Sequence, residues 1–381
     1  MLSILGMFNF LQYGTTAQVA RAEGAGERVT AARLGAQALW LSFGAGVVLA
    51  VLIAWLAVPI VDIVGVKGEA KDFAVTYLRI VTIGVPSAFL TLGGQGFLRG
   101  VSDLRTPLLI LAMGNVLNAI LEVLFVYGFG WGIEGSAWGT AVAQTVMGTG
   151  MAVVILRRVG RDHATLRPAL ARRLLSIGKF IFVRTTALIG AFFLAGAFAA
   201  RLGDAQLGAY QIAFQLWVFL ALVLDSIAIA GQIIVGRELG AGRAESAYAA
   251  ALRMIWLSTM IGGVMTVTLL ALRDVIPRGF SSDTVVLEQC ALLWPIFASV
   301  EPLSGAVFAL DGIMIGASDG PYLALSMAVA FVACAAVLVA AYESGWGVRG
   351  VWAALCTLIV MRLALMGSRF LRRRWIVTGW A

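Results

Sequence analysis

The residues able to do chemistry in this chain are a few acids and amides set in long apolar runs. Glu122 stands within 106–129, Asp225 within 206–234 and Glu301 within 286–310. A charge at the centre of a bilayer costs at least about 2.5–3.5 kcal/mol on insertion scales. A carboxyl kept there is suited to taking up and releasing a proton or a metal cation. At 100° per residue, Asn115, Asn118 and Glu122 fall within about 60° of one another on a helix. Protonation of Glu122 is expected to change its hydrogen bonding to Asn118; the plainer reading is a structural hydrogen bond between helices. Gln211, Gln215, Asp225 and Gln232 share an arc of about 100°. Trp217 and Phe219 lie near that stripe for stacking or cation–π contact, so it suits a cavity for a cationic or amphiphilic molecule. Helix packing glued by amide hydrogen bonds is the competing account. Glu301 precedes Pro302, where a kink frees carbonyls, and is either a second cavity acid or a group bonded at the kink. Asp311 falls near the end of its run, where solvation is cheap, and is expected to be structural. Arg184 either snorkels or pairs with an acid.

These positions need membrane-spanning helices to hold them. The 381 residues are 61% hydrophobic and 13% charged, with net charge +8 and mean hydropathy +0.94. Soluble domains carry about 25% charged residues, so a soluble enzyme, a disordered chain and a nucleic-acid binder are excluded. Runs of the roughly 20 residues needed to cross a bilayer recur at 1–19, 36–60, 74–97, 106–129, 135–156, 175–200, 206–234, 247–272, 286–310, 322–342 and 350–368. Backbone groups in lipid must be satisfied locally, so these runs are expected to be helices. Alternate connections hold 19 of the 28 Lys and Arg, which by the positive-inside rule places them and the C-terminus in the cytoplasm. Cys290, Cys334 and Cys356 sit in apolar runs and read as small buried hydrophobes. No Walker-type phosphate loop exists in the sequence.

The chain repeats itself. Arg21 and Gly24-Ala25-Gly26 recur as Arg237 and Gly240-Ala241-Gly242, Ser102-Asp103 as Ser318-Asp319, and Pro86 as Pro302, all at an offset of 216. Trp131-Gly132-Ile133-Glu134-Gly135 recurs as Trp346-Gly347-Val348-Arg349-Gly350 at an offset of 215. Matched pairs lie on the same side of the membrane, so the halves are parallel repeats, an arrangement used by many transporters. The offset pairs Asp225 with Asn9, and Met1 with Trp217 in mid-span. The first half is therefore expected to be short of one helix and part of another, roughly 45 residues, relative to a 6 + 6 parent.

Tyr210-Gln211-Ile212-Ala213-Phe214-Gln215-Leu216-Trp217, Val223-Leu224-Asp225 and Val235-Gly236-Arg237-Glu238-Leu239-Gly240-Ala241-Gly242 resemble helix eight of the multidrug and toxic compound extrusion (MATE) transporters. The likeness is to their DNA-damage-inducible (DinF-type) branch. Arg99-Gly100 with Asp103-Leu104-Arg105-Thr106-Pro107 resembles the loop after helix four, and Leu310-Asp311-Gly312 with Ile315-Gly316-Ala317-Ser318-Asp319 its counterpart. Leu117-Asn118 with Glu122 and Leu124-Phe125 resembles the helix-five motif, with Glu122 where the family usually has Asp. The helix-one acid of the family would lie upstream of Met1. The resemblance implies that Tyr77 and Thr140 join Asn118 and Glu122 in ion coupling.

The expected architecture is all-α: a polytopic membrane protein of two parallel-repeat bundles, about eleven helices of a 6 + 6 design. The lobes are 1–156 and 175–381, joined by a basic linker at 157–174, with a central cavity that opens to each side in turn. The expected function is an antiporter exporting organic cations or other amphiphiles in exchange for protons or sodium. It is expected to be a monomer in the inner (plasma) membrane, with no cofactor beyond the ion and no nucleic-acid partner. Coupling residues are Glu122, Asn118, Tyr77 and Thr140; cavity residues are Asp225, Gln211, Gln215, Trp217, Gln232 and Glu301. The alternatives are a lipid-linked precursor flippase, which needs a strongly cationic cavity, and an inactive truncated carrier.

Overall fold

Fourteen α-helices and no strand make up the described residues, 8–380, of the computed structural model. In chain order they are α1 (Phe10–Gly24), α2 (Arg28–Trp55), α3 (Ala57–Val64), α4 (Glu69–Thr82), α5 (Val85–Gly100), α6 (Arg105–Val123) and α7 (Gly132–Val159). There follow α8 (Pro168–Arg201), α9 (Asp204–Gly240), α10 (Ala244–Ala271), α11 (Thr284–Ser299), α12 (Glu301–Gly316), α13 (Gly320–Glu343) and α14 (Gly347–Leu371). The chain divides into two units: residues 11–176, and residues 177–380 together with 8–10. The basic stretch after α7 belongs to the first unit. Gln37 Nε2 donates to Thr165 O at 2.9 Å, and Gln37 Oε1 accepts from Arg167 N at 2.8 Å.

Eight helices are long and apolar enough to cross a membrane, and two bent pairs, α4–α5 and α11–α12, bring the number to ten among the described residues. The expected run 1–19 is only partly covered; residues 1–7 lie outside the described residues and its remainder lies in the 15-residue α1. The runs 74–97 and 286–310 are not straight spans. Each is bent by 48°, and in each the new helix starts with a proline at its second position, Pro86 or Pro302. Proline lacks the N–H that would continue the ladder, and its fixed φ suits a helix start. In the second unit Thr266 Oγ1 donates to Ala298 O at 2.7 Å, satisfying a carbonyl beside the break.

The repeat is written into the backbone of each unit. Ser102 has φ +64° and Ser318 φ +61°, a left-handed conformation uncommon outside glycine. A Cβ on Gly46 would meet Pro86 Cα at 2.7 Å, and one on Gly262 would meet Pro302 Cα at 2.8 Å. Each bent pair is therefore pressed onto an earlier long helix, α2 or α10, through a glycine 40 residues before its proline. Asp103 accepts from Thr106 N and Thr106 Oγ1 and pairs with Arg158 at the end of α7. Its counterpart Asp319 pairs with Arg369 at the end of α14.

Candidate functional site

In the second unit the break between α11 and α12 carries an acid. Glu301 is fully buried, and neither carboxyl oxygen has a hydrogen-bond partner. Gly262 of α10 backs its main chain, and Cys356 of α14 lies within electrostatic range of it. Ser304, one turn on, and Ser258 of α10 are buried with unpartnered hydroxyls. Helices α10 and α12 meet here through Gly262 and Gly305, so their backbones approach closely and little side-chain bulk fills the space. Buried polar groups are normally hydrogen-bonded, and an isolated carboxylate is costly to bury. A proton or a bound cation resolves that cost. The repeat counterpart of Glu301 is Val85, which is also fully buried.

Asp311 differs from its expected place at a solvated end. It is buried in α12, and its Oδ2 accepts from both Arg184 of α8 and Arg362 of α14, the latter at 2.6 Å. The run boundary placed Asp311 close to water, but the helix continues to Gly316 and its neighbours cover it. Arg184 thus pairs with an acid. Arg184 and Arg362 are both engaged at one carboxylate, so these two do not supply the free cationic cavity that a flippase of lipid-linked precursors would need.

A cavity of about 500 Å³ opens between α8 and α9, in the range typical of drug-sized ligands. Phe192, Phe193 and Gly196 of α8 face Gln211, Phe214 and Trp217 of α9 across it. Tyr210, Phe214 and Trp217 follow one another at i, i+4 and i+7 and so share one helix face. Phe192 packs on Trp217 with centroids 4.3 Å apart and on Phe214 at 5.2 Å. Tyr210 OH donates to Phe192 O at 2.7 Å, tying the two helices together. Two of the sequence-predicted cavity residues, Gln211 and Trp217, therefore line this pocket. Gln215 and Asp225 do not, and Gln232 is buried where its backbone meets Gly316 of α12. The arc drawn on one helix ran along its whole length, whereas the neighbours of α9 change from α8 to α12 along it. Phe192, Phe193, Tyr210 and Phe214 escaped sequence reasoning. The 210, 214, 217 spacing signals the α9 half of the pocket, and nothing local signals the α8 half.

In the first unit Glu122 sits exposed near the end of α6 and accepts a 2.8 Å hydrogen bond from Ser136 Oγ of α7. Its expected partner Asn118 makes no bond to it, and Asn118 Nδ2 is buried without a partner. Helix geometry placed Asn118 on the same face as Glu122, but Ser136 approaches from the facing helix. That approach is possible because Gly135 and Gly139 of α7 lie against the backbone of residues 122–126. Thr140 is one turn beyond Ser136, and Gln144 Oε1, another turn on, is buried and unpartnered beside Gly84. Tyr77 lies half-buried on α4. No hydrogen bond among the described residues joins Tyr77 or Thr140 to Asn118 or Glu122.

A family model, MatE, matches residues 1–124 and 181–340, well over half of the sequence. The chain belongs to the MatE family. DNA damage-inducible protein F of Escherichia coli (strain K12) is 30% identical to this MATE chain over 386 residues, covering 97% of it and 82% of the relative. Protein DETOXIFICATION 43 of Arabidopsis thaliana is 31% identical over 341 residues, covering 86% of this chain and 64% of the relative. The chain spans about three fifths of the length of the Arabidopsis relatives it matches. Among solved structures, a MATE in complex with MaL6 aligns with 98% of this chain and 85% of its own at TM-score 0.88, with 20% identity. An outward-facing multidrug resistance MATE of the MOP superfamily aligns at TM-score 0.84, with 98% and 84% coverage and 20% identity. The fold is thus the all-helical, polytopic one of the solved MATE structures.

Proposed function

We propose that this MATE chain is a secondary active antiporter that exports organic cations or other amphiphilic compounds in exchange for protons or sodium by alternating access. One observation carries the coupling half of this reading: Glu301 is a fully buried acid at a helix break, with no protein partner for either carboxyl oxygen. A group in that position binds its ion strongly in one packing of the break and weakly in another. Such differential binding is what lets a downhill ion bias a conformational equilibrium. The 500 Å³ pocket with Gln211 and Trp217 supports the substrate half. Glu122, Asn118, Tyr77 and Thr140 are proposed as a second ion-responsive set in the first unit, with Ser136 added to it. Asp225, Gln215 and Gln232 remain proposed as further polar positions along the substrate path. The carrier is proposed to work as a monomer in the plasma membrane, with its basic loops and C-terminus in the cytoplasm.

The test is export of a fluorescent aromatic cation from proteoliposomes under an imposed pH gradient, repeated with a sodium gradient. Glu301→Gln is expected to lower gradient-driven export at least tenfold while substrate binding persists, and Glu122→Gln to lower it less. Undiminished export by Glu301→Gln under both gradients removes Glu301 from the mechanism. Undiminished export by the double variant removes coupling through these two carboxylates.

A further inference from the structure

We infer that the aromatic pocket between α8 and α9 takes a flat, uncharged polycyclic ring system whose polar edge is read by Gln211. The inference rests on reading that pocket as the substrate site and narrows the class of substrate it accepts.

The lining holds no charged side chain: neither Asp225 nor Glu301 contributes to it. A compact cation entering there would gain ring faces, worth about 0.5–2 kcal/mol, but no carboxylate, and desolvation of a charge without a counter-ion costs more than that. A flat aromatic body loses only apolar hydration, which favours entry. The rings brace one another. Tyr210 and Phe214 lie within 5° of parallel at 5.9 Å, and Phe192 bridges Phe214 and Trp217. A slot walled by rings in set orientations selects planar guests by offset stacking or edge contact. The hydroxyl of Tyr210 is turned to the carbonyl of Phe192, so that polar atom donates to the protein. Gln211 is different. It is exposed, lines the cavity and makes no hydrogen bond within the described protein, so its amide offers both a donor and an acceptor. Gly196 keeps the slot open, since a Cβ there would come within 3.3 Å of the Tyr210 ring. Phe193, 79% exposed, stands at the mouth. Measured from the start of α9 at 1.5 Å per residue, the slot lies about 9–20 Å along the helix axis, at Tyr210 to Trp217.

The experiment uses the full chain in detergent, with no ion gradient. Acridone, a neutral tricyclic with an N–H and a carbonyl, is the probe, followed by its fluorescence anisotropy, and tetraethylammonium is the competitor. Acridone is expected to bind saturably, with no displacement by a hundredfold excess of tetraethylammonium. Gln211→Leu is expected to weaken binding about 2- to 10-fold, the range for one neutral hydrogen bond. Gly196→Leu, checked for wild-type thermal unfolding, is expected to weaken it at least tenfold. If Gly196→Leu does not fold, Phe193→Ala at the exposed mouth replaces it, with an expected loss of about fivefold or more. Absence of saturable binding, displacement by tetraethylammonium at comparable concentration, or unchanged affinity in the pocket variants overturns the proposal. Because binding is read without a gradient, a chain that binds acridone but exports nothing rejects the antiport reading alone. A chain that exports cations but does not bind acridone rejects the pocket's proposed ligand alone.

Discussion

Replacing Asp311 should be the most damaging single change in the second unit, and the ranking of variants tests why. Asp311 Oδ2 serves two guanidiniums, those of Arg184 and Arg362, and all three side chains are nearly inaccessible. The cluster carries a formal charge of +1. Arg362→Met leaves a neutral pair and removes one charge-assisted hydrogen bond, a loss of about 1.5–3 kcal/mol. Asp311→Asn instead leaves two guanidiniums without their shared carboxylate. Breaking a buried pair in this way costs about 3–5 kcal/mol because charge is left uncompensated. For a unit of roughly 200 residues, 1 kcal/mol moves Tm by about 2–4 °C, so Asp311→Asn should lower Tm by about 6–20 °C. The sharper expectation concerns sign: adding Arg362→Met to Asp311→Asn should restore part of the loss, because it removes one of the two stranded cations. Thermal unfolding of the purified variants in detergent measures all three. If Asp311→Asn costs no more than Arg362→Met, or if the double variant falls by the sum of the singles, the electrostatic account of this cluster fails.

Two further outcomes follow from the geometry. Gly46→Ala and Gly262→Ala should each lower stability by about 1–3 kcal/mol through overpacking, since the new methyl meets the backbone of Pro86 or Pro302; equal Tm in wild type and variants would show that the bent helices yield freely. Burial opposes ionisation of Asp103, but hydrogen bonds from Thr106 and the Arg158 guanidinium outweigh it and hold the carboxyl below its ordinary value of 3.8. A carboxyl lowered on folding adds stability above that ordinary value and loses it as pH falls through the folded one. Amide exchange across residues 101–106, corrected for intrinsic rates, should therefore accelerate below about pH 4, and Asp103→Asn should abolish that pH dependence.

The helices, the repeat and the two bends were legible because each has a local cause. Span length is set by membrane thickness, the offset of 216 needs only matching residues, and Pro86 and Pro302 mark where a backbone ladder stops. The partners of the buried polar groups were not legible. Glu122 meets Ser136 only because a tight turn returns the chain and two glycines let the helices close. Asp311 is covered by Arg184, distant in sequence, and by Arg362, 51 residues away, and no periodicity within one helix reports such meetings. The pocket falls between these cases. Its α9 wall was half visible in Gln211 and Trp217, while its α8 wall depends on which face of a uniformly apolar helix turns inward.

The matched bends carry a lesson about descent. Both halves turn by 48° at corresponding positions, yet the buried residue at the turn is Val85 in one and Glu301 in the other. An ancestral gene that doubled would have passed the elbow to both daughters, while the ionisable group belongs to one of them. The elbow geometry is common to both halves and the acid distinguishes them; under the proposed coupling, Glu301 is what would let one joint answer to an ion while its counterpart stays inert.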